Sequence, residues 1–212
     1  GEEVSLKEAL GRVLAEDAQA AVSHPPADVS AMDGYAVRAE DVSQVPATLA
    51  VVGEAPAGSA YDHEVQPGQA VRIFTGGPVP RGADAVVIQE NTERNGDTVT
   101  VAKGAGAGTY IRRQGLDFKT GEVGLKAGRR LAPRDIAFAA AMNLSHLTVR
   151  RKPRVAVLST GDELIRPGET PGPNRIPGPN GPALAAFVDS CGGIAVDPGI
   201  APDDEKALAA LA

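Results

Sequence analysis

The sequence predicts a multidomain chain of mixed α/β and β class, and three observations carry that expectation. A capping-box tetrad, Ser5-Leu6-Lys7-Glu8, stands ahead of apolar residues at helical spacing. Short apolar runs separated by Gly, Pro and Asn-Gly then fill the chain from Ala18 to Lys103. Beyond Pro153 strand-like and helix-like segments alternate, as at the opening of a parallel α/β unit.

Leu6, Leu10, Val13 and Leu14 share one helical face, so an amphipathic helix is expected over residues 5–16. Runs at 34–38, 47–53, 70–74, 84–89 and 97–102 make the next part a β-rich module. Asn95-Gly96, set between Val86-Val87-Ile88 and the alternating Thr98-Val99-Thr100-Val101, reads as a hairpin turn. Gly104 to Gly108 is a small-residue loop, after which Tyr110 to Asp117 returns to an ordered polar segment. Pro133 suits a first helical turn, and the Ala-rich stretch through Met142 gives that helix a close-packing face. A neighbouring helix, a second subunit or an ordinary core contact would each explain the alanines. Val155 to Leu158 is a continuous apolar strand, followed by a helix at 182–191, a strand at 194–197 and a helix at 203–212. With only two strands and two helices in this unit, and its last helix uncapped at the chain end, a piece of a longer protein is expected.

Composition narrows the function. The chain is long enough to bury a sizeable core, and 25 Gly and 17 Pro favour many turns and short elements. A net charge of -6 without any basic-aromatic block argues against a nucleic-acid partner, although small anions could still bind at local Arg clusters. Cys191 is the only cysteine and the three histidines are scattered, which removes disulfides and a zinc cage. Cys191 is expected to pack as a small hydrophobe near a helix end. No apolar run approaches a membrane span and no signal pattern opens the chain, so a soluble, cytoplasmic protein without membrane partners is expected.

Three stretches carry the chemistry. In Asp28-Val29-Ser30-Ala31-Met32-Asp33-Gly34-Tyr35-Ala36-Val37-Arg38 a polar loop delivers the Asp33 carboxylate to the start of a half-buried strand, with Gly34 leaving backbone room beside it. Asp33 reads as a metal or substrate group; alternatively, Asp28, Ser30 and Asp33 merely close a turn. In Ile73-Phe74-Thr75-Gly76-Gly77-Pro78, Thr75 and the Gly76-Gly77 amides could donate to a compact oxyanion, as could Arg112 and Arg113. The alternatives are a tight turn for the glycines and a solvated pair for the arginines. In Val155-Ala156-Val157-Leu158-Ser159-Thr160-Gly161-Asp162-Glu163-Leu164 a loop follows a parallel strand, where open α/β sheets bind ligands. Ser159, Thr160 and Gly161 could cradle an anion while Asp162 and Glu163 hold a metal or its water, or the loop is an Asx turn. Asp203, after the next strand, is a site residue, the N-cap of the last helix, or both.

In order and spacing these stretches resemble the molybdopterin molybdenumtransferases, the MoeA family, whose animal relative is the E domain of gephyrin. The resemblance runs from Gly11-Arg12-Val13-Leu14-Ala15 to Gly199-Ile200-Ala201-Pro202-Asp203-Asp204. It implies an elongated, helix-containing dimerisation domain from residues 1–19 and 121–151, a β-rich domain of residues 20–120 inserted in it, and the N-terminal part of an incomplete, MogA-like molybdopterin-binding α/β domain from 152. It also implies a reaction in which adenylylated molybdopterin is hydrolysed in the presence of molybdate and Mg2+, releasing AMP and leaving molybdenum on the dithiolene. Carried over by motif, the catalytic positions are Asp33, Thr75, Asp117, Glu163 and Asp203. Glu163 and Asp203 are implied on the magnesium and nucleotide-pterin side, with Asp33, Thr75 and Asp117 lining the molybdate side. Gly76, Arg112, Arg113 and the 159–162 loop are expected to hold substrate. The implied partners are a second copy sharing the active site and an upstream molybdopterin adenylyltransferase. A gephyrin-like scaffold and a pterin-binding module without turnover are the alternatives; retention of the five positions favours catalysis. Departures include Gly77 for the family's usual Ala, Leu116 before Asp117, and the Pro-rich run from Asn174 to Pro182.

Overall fold

A computed structural model describes residues 1–211, which form two units. One comprises Gly1–Asp17, Lys126–Ala137 and the chain from Ser145 onward; the other comprises Ala18–Leu125 and Phe138–Leu144. The chain enters on strand β1 (Glu2–Ser5), and the helix expected over residues 5–16 contracts to one turn, α1 (Leu6–Ala9). The N-terminal signal is present: the Glu8 carboxylate accepts the Ser5 N–H at 3.3 Å and the Ser5 hydroxyl at 2.6 Å. The stop is also local, because Leu10 is already extended and Gly11 takes a φ of +76°, a left-handed value that favours glycine. Val13 and Leu14 then form bridges to Arg130 and Val149. Their apolar spacing therefore reports burial of an extended segment, not another helical turn.

The second unit is sheet-rich. Its strands are β2 (Ala18–Gln19), β3 (Val29–Ser30), β4 (Gly34–Val37), β5 (Ala47–Ala55), β6 (Gln69–Ile73), β7 (Ala85–Ile88), β8 (Thr92–Asn95), β9 (Thr98–Val101), β10 (Ile111–Arg112) and β11 (Val123–Leu125). Six of them make one sheet in the order β7-β4-β6-β5-β9-β8, in which only β5 and β6 run parallel. Strand β4 was expected to be half-buried, yet all four of its residues are buried because both edges are paired and both faces covered. Tyr35 and Val37 join Leu49, Val87, Val99 and Val101 in one cluster, while Ala36 joins Val71, Ile73 and Val86 in another. This is the period-two alternation of a strand with a core on each side.

Gly34 permits the tightest approach in this sheet. A Cβ built there would lie 2.0 Å from the Val87 carbonyl oxygen, so only glycine lets β4 and β7 close at this point. The hairpin turn is also refined. Asn95 pairs with Thr98 across a Gly96-Asp97 loop, so the strand preceding the turn is β8, not the 86–88 run.

Helix α2 (Pro133–Ala141) leads into β12 (His146–Val149), which pairs antiparallel with β1. The Phe138 ring meets Phe118 edge-on at 5.5 Å, and Gly124 lies so close to Met142 that a Cβ would come within 2.3 Å of its sulfur. Of the three explanations for the small residues, the core contact is the one observed at this end of the helix. The chain continues through β13 (Arg154–Ala156), β14 (Ser159–Thr160), β15 (Leu164–Ile165), β16 (Ile176–Pro177), α3 (Asn180–Ser190), β17 (Ile194–Val196), β18 (Ile200–Ala201) and α4 (Glu205–Leu211). Three parallel pairs result: β13 with β17, β14 with β18, and β15 with β16. Residue 212, the expected last residue of α4, lies outside the described residues. Cys191 does cap α3, but it is exposed, because no residue of that helix is buried and its last turn faces outward with it. Among the described residues no helix is long and apolar enough to cross a membrane.

Two stability outcomes follow. Gly34→Ala is expected to lower the unfolding free energy by about 3 kcal/mol, the upper range of overpacking, and wild-type stability in urea denaturation would contradict the close approach. Asp135 is buried, accepts the Ala132 N–H at 2.9 Å and pairs with Arg129 at 2.9 Å. The Arg129 hydrogen bond and then the Ala132 amide hold its carboxyl below the usual range. A depressed folded pKa gives stability that is present above the unfolded value and lost as pH falls through the folded one. Asp135→Asn should therefore cost about 2 kcal/mol at neutral pH, with the gap to wild type closing only below about pH 4 in pH-dependent melts.

Candidate functional site

The buried strand β4 fixes the position of Asp33, which sits immediately before it. The Asp33 Oδ1 accepts both the backbone N–H of Thr75 at 2.7 Å and the Thr75 hydroxyl at 2.8 Å. Thr75 lies two residues beyond the end of β6, the register partner of β4, so sheet pairing itself brings the two residues together. The Asp33 backbone carbonyl accepts from Gln89 N–H at 3.1 Å. With its main chain pinned and one carboxylate oxygen doubly bonded, Asp33 is held below the usual carboxylate range, first by the Thr75 amide, then by the Thr75 hydroxyl, and further by the charge of Arg72. It presents an ionised acceptor on a stiff support.

Around this pair three segments close a loop cluster. β3 pairs with β10 through Ser30 and Ile111, and the turn at 76–79 bonds back to it: Gly76 N–H to Ser30 O at 2.9 Å, Ser30 N–H to Gly77 O at 2.9 Å and Val79 N–H to Asp28 O at 2.9 Å. Gly76 adopts φ +81° in this turn. The expectation that the Gly76 and Gly77 amides serve a bound oxyanion is corrected here, since Gly76 N–H is given to Ser30 and Gly77 N–H to Phe74 O at 2.8 Å. Arg113 is likewise committed: it donates to Asp28 Oδ2 at 2.5 Å, while Gln114 N–H donates to Asp28 Oδ1 at 2.8 Å. Those contacts, led by the Gln114 amide, hold the Asp28 carboxyl low against its partial burial. Arg112 is exposed on β10 and makes no side-chain hydrogen bond among the described residues. Asp117 is exposed and bonds to His24 Nδ1 at 2.8 Å, with its own N–H on the His24 carbonyl at 3.0 Å.

The other predicted residues belong to the first unit, at the carboxyl ends of its parallel strands. Ser159 pairs with Ile200 and Thr160 with Ala201, which brings the loop after β14 beside the loop after β18. Gly161 has φ +141° and donates its N–H to Ala201 O at 3.1 Å; its Cα is so close to the folded-back Glu163 carboxylate that a Cβ would lie 2.6 Å from Oε2. Asp203 N–H approaches Asp162 Oδ1 at 3.4 Å. Helix α4 starts at Glu205, so the N-cap position belongs to Asp204, and Asp203 is left to the loop. Two cavities of about 370 and 320 Å³ flank this rim. Ser159, Gly181 and Arg166 line the first, and Gly161, Asp162, Arg166 and Arg175 the second.

The structure thus joins Asp33 directly to Thr75, places Asp117, Arg112 and Arg113 on the loop cluster of the same unit, and gathers Ser159 to Glu163 with Asp203 in the other. Among the described residues no three His, Cys, Asp or Glu side chains are grouped as a metal site. Any Mg2+ held by Glu163 and Asp203 would therefore need water and substrate oxygens to complete its shell. Sequence reasoning missed Arg72 and Arg166. Arg72 was legible as the one charge inside the apolar run Ala70-Val71-Arg72-Ile73; Arg166, next to a Pro-Gly turn, carried no such signal.

Comparison with known proteins bears on the family and the fold. The family described as "MoeA N-terminal region (domain I and II)" matches residues 1–143. Molybdopterin molybdenumtransferase 2 of Mycobacterium tuberculosis is 42% identical over 212 residues, covering 98% of this chain and 52% of that protein. The molybdopterin molybdenumtransferase of Nostoc is 40% identical over 209 residues, covering 97% and 48%. A crystal structure of a molybdopterin biosynthesis MoeA protein from Pyrococcus horikoshii superposes with a TM-score of 0.93 at 37% identity, over 99% of this chain and 55% of that one. The chain spans about half the length of the curated relatives it matches. On these matches, which reach from the N-terminal strand through the sheet-rich unit and α2, the chain belongs to the MoeA family.

Proposed function

We propose that the chain carries part of the active site of a molybdopterin molybdenumtransferase, which acts on adenylylated molybdopterin in the presence of molybdate and Mg2+. AMP leaves, and molybdenum remains on the dithiolene. The observation that supports this most is the ionised Asp33 carboxylate anchored by two Thr75 donors at the mouth of a buried strand. A carboxylate fixed in this way orients water or a cation without first having to reorganise.

In this reading the 159–163 segment receives the phosphates, with Ser159 on the cavity wall. Asp162 stays near the Asp203 backbone and keeps the two loops in step. Glu163 and Asp203 would hold Mg2+, whose charge offsets that developing on the leaving phosphate. Arg112, unlike Arg113, is available to attract the oxyanion. Asp117, bonded to His24, would complete the molybdate side.

The same reading divides the polypeptide into a dimerisation domain of residues 1–19 and 121–151, an inserted β-rich domain of residues 20–120, and the beginning of a MogA-like α/β domain from residue 152. The protein works as a cytoplasmic homodimer with shared sites and takes its substrate from a molybdopterin adenylyltransferase. No membrane or nucleic acid takes part.

Asp33→Asn in the full-length polypeptide should slow AMP release with molybdate roughly ten- to a hundredfold, as expected when the group it orients is misplaced, with the melting temperature nearly unchanged. A folded variant that retains full turnover would assign Asp33 to turn structure alone. Chelation of Mg2+ should stop AMP release without altering the circular dichroism spectrum; undiminished release in excess chelator would remove Glu163 and Asp203 from their proposed role.

A further inference from the structure

Arg72 stands out as a charged residue in the middle of the sheet. It lies on β6 between Tyr35 of β4 and Glu54 of β5, with buried apolar residues on either side of it along its own strand. Its guanidinium lies 5.4 Å from the Tyr35 ring centroid and 4.7 Å from that of Phe74, so two aromatic rings hold it in place. One terminal nitrogen donates to the Gly34 carbonyl at 2.9 Å and the other to Gln89 Oε1 at 2.8 Å. Each partner adjoins Asp33: Gly34 follows it in sequence, and Gln89 donates its backbone N–H to the Asp33 carbonyl. Phe74, the second ring, immediately precedes Thr75. Its two hydrogen bonds and its stacking on Phe74 therefore end on groups that adjoin Asp33 or Thr75.

We propose that Arg72 is the positioning residue of the Asp33–Thr75 turn, fixing both halves through its fork to Gly34 and Gln89 and its stacking on Tyr35 and Phe74. The proposal rests on the functional reading above only for its effect on turnover; the effect on the turn itself is independent of that reading. Two features separate this from plain structural support. The guanidinium stays protonated at any pH the protein meets, so its positive charge persists beside the Asp33 carboxylate. The fork also needs two divergent donors in one plane, which lysine does not have.

The test compares Arg72→Met and Arg72→Lys with wild type in the full-length polypeptide. The substrate-free protein is read first, by NMR titration of the Asp33 carboxyl carbon. In Arg72→Met the Asp33 midpoint is expected to move up towards the ordinary carboxylate range; an unmoved midpoint overturns the proposal whatever the enzyme turns out to catalyse. For turnover, kcat should fall roughly ten- to a hundredfold, the scale of a small misplacement of a reacting group, while KM changes less. Arg72→Lys should fold and yet fail to restore kcat, and a lysine variant with wild-type kcat overturns the fork. If wild type itself inserts no molybdenum, the functional reading fails and the titration still decides the role of Arg72. Should Arg72→Met not fold, the exposed Gln89→Ala serves instead: hydrogen exchange at the Thr75 amide is expected to quicken, and unchanged exchange overturns the proposal.

Discussion

The close approach of β4 to its two neighbours is the constraint on which the rest of the Asp33 site depends. Because Gly34 has no side chain, the Val87 carbonyl comes within 2.0 Å of where a Cβ would stand. The strand is consequently buried along its length and its N-terminal end cannot shift. Asp33 inherits that immobility without being buried itself. Its carboxylate stays ionised through this combination, since desolvation would favour the neutral form whereas fixed donors favour the charged one. Thr75 supplies the donors, and its position is set by the strand paired with β4.

Electrostatically, the sheet-rich unit uses its charges in pairs that fix backbone as much as side chains. Asp28 links Arg113 to the Gln114 amide, and Asp33 takes both donors of Thr75. These contacts turn loops 28–33, 75–79 and 110–117 into a supported surface. The parallel-strand rim of the other unit is built differently. There Gly161 and the 3.4 Å approach of Asp203 to Asp162 bring acidic side chains to one edge beside open cavities, without closing a metal cage. Such a rim suits a cation that arrives with phosphate oxygens.

Much of this was legible in the sequence because local signals and tertiary structure agree. Short apolar runs located five of the six strands of the main sheet to within a residue or two and missed the polar β8, and Pro133 marked the start of α2. Failures occurred where two signals competed. Ser5 to Glu8 announced a helix, but Gly11 ended it, and the apolar residues beyond joined β-bridges that no short-range pattern announces. Gly76 and Gly77 looked like anion donors because glycine amides are accessible in principle; their hydrogen bonds to Ser30 and Phe74 are visible only in three dimensions. Asp33 and Thr75 were chosen separately by motif, and their direct contact follows from strand register, which composition and spacing alone do not specify.

The most direct test is a crystal structure of the full-length polypeptide with adenylylated molybdopterin and molybdate. The expected result is ordered substrate whose reacting end lies within hydrogen-bond reach of the Asp33–Thr75 turn, with the Asp33 to Thr75 contacts preserved. Ordered substrate seated elsewhere, with that turn facing solvent and no ligand atom near it, would contradict the assignment.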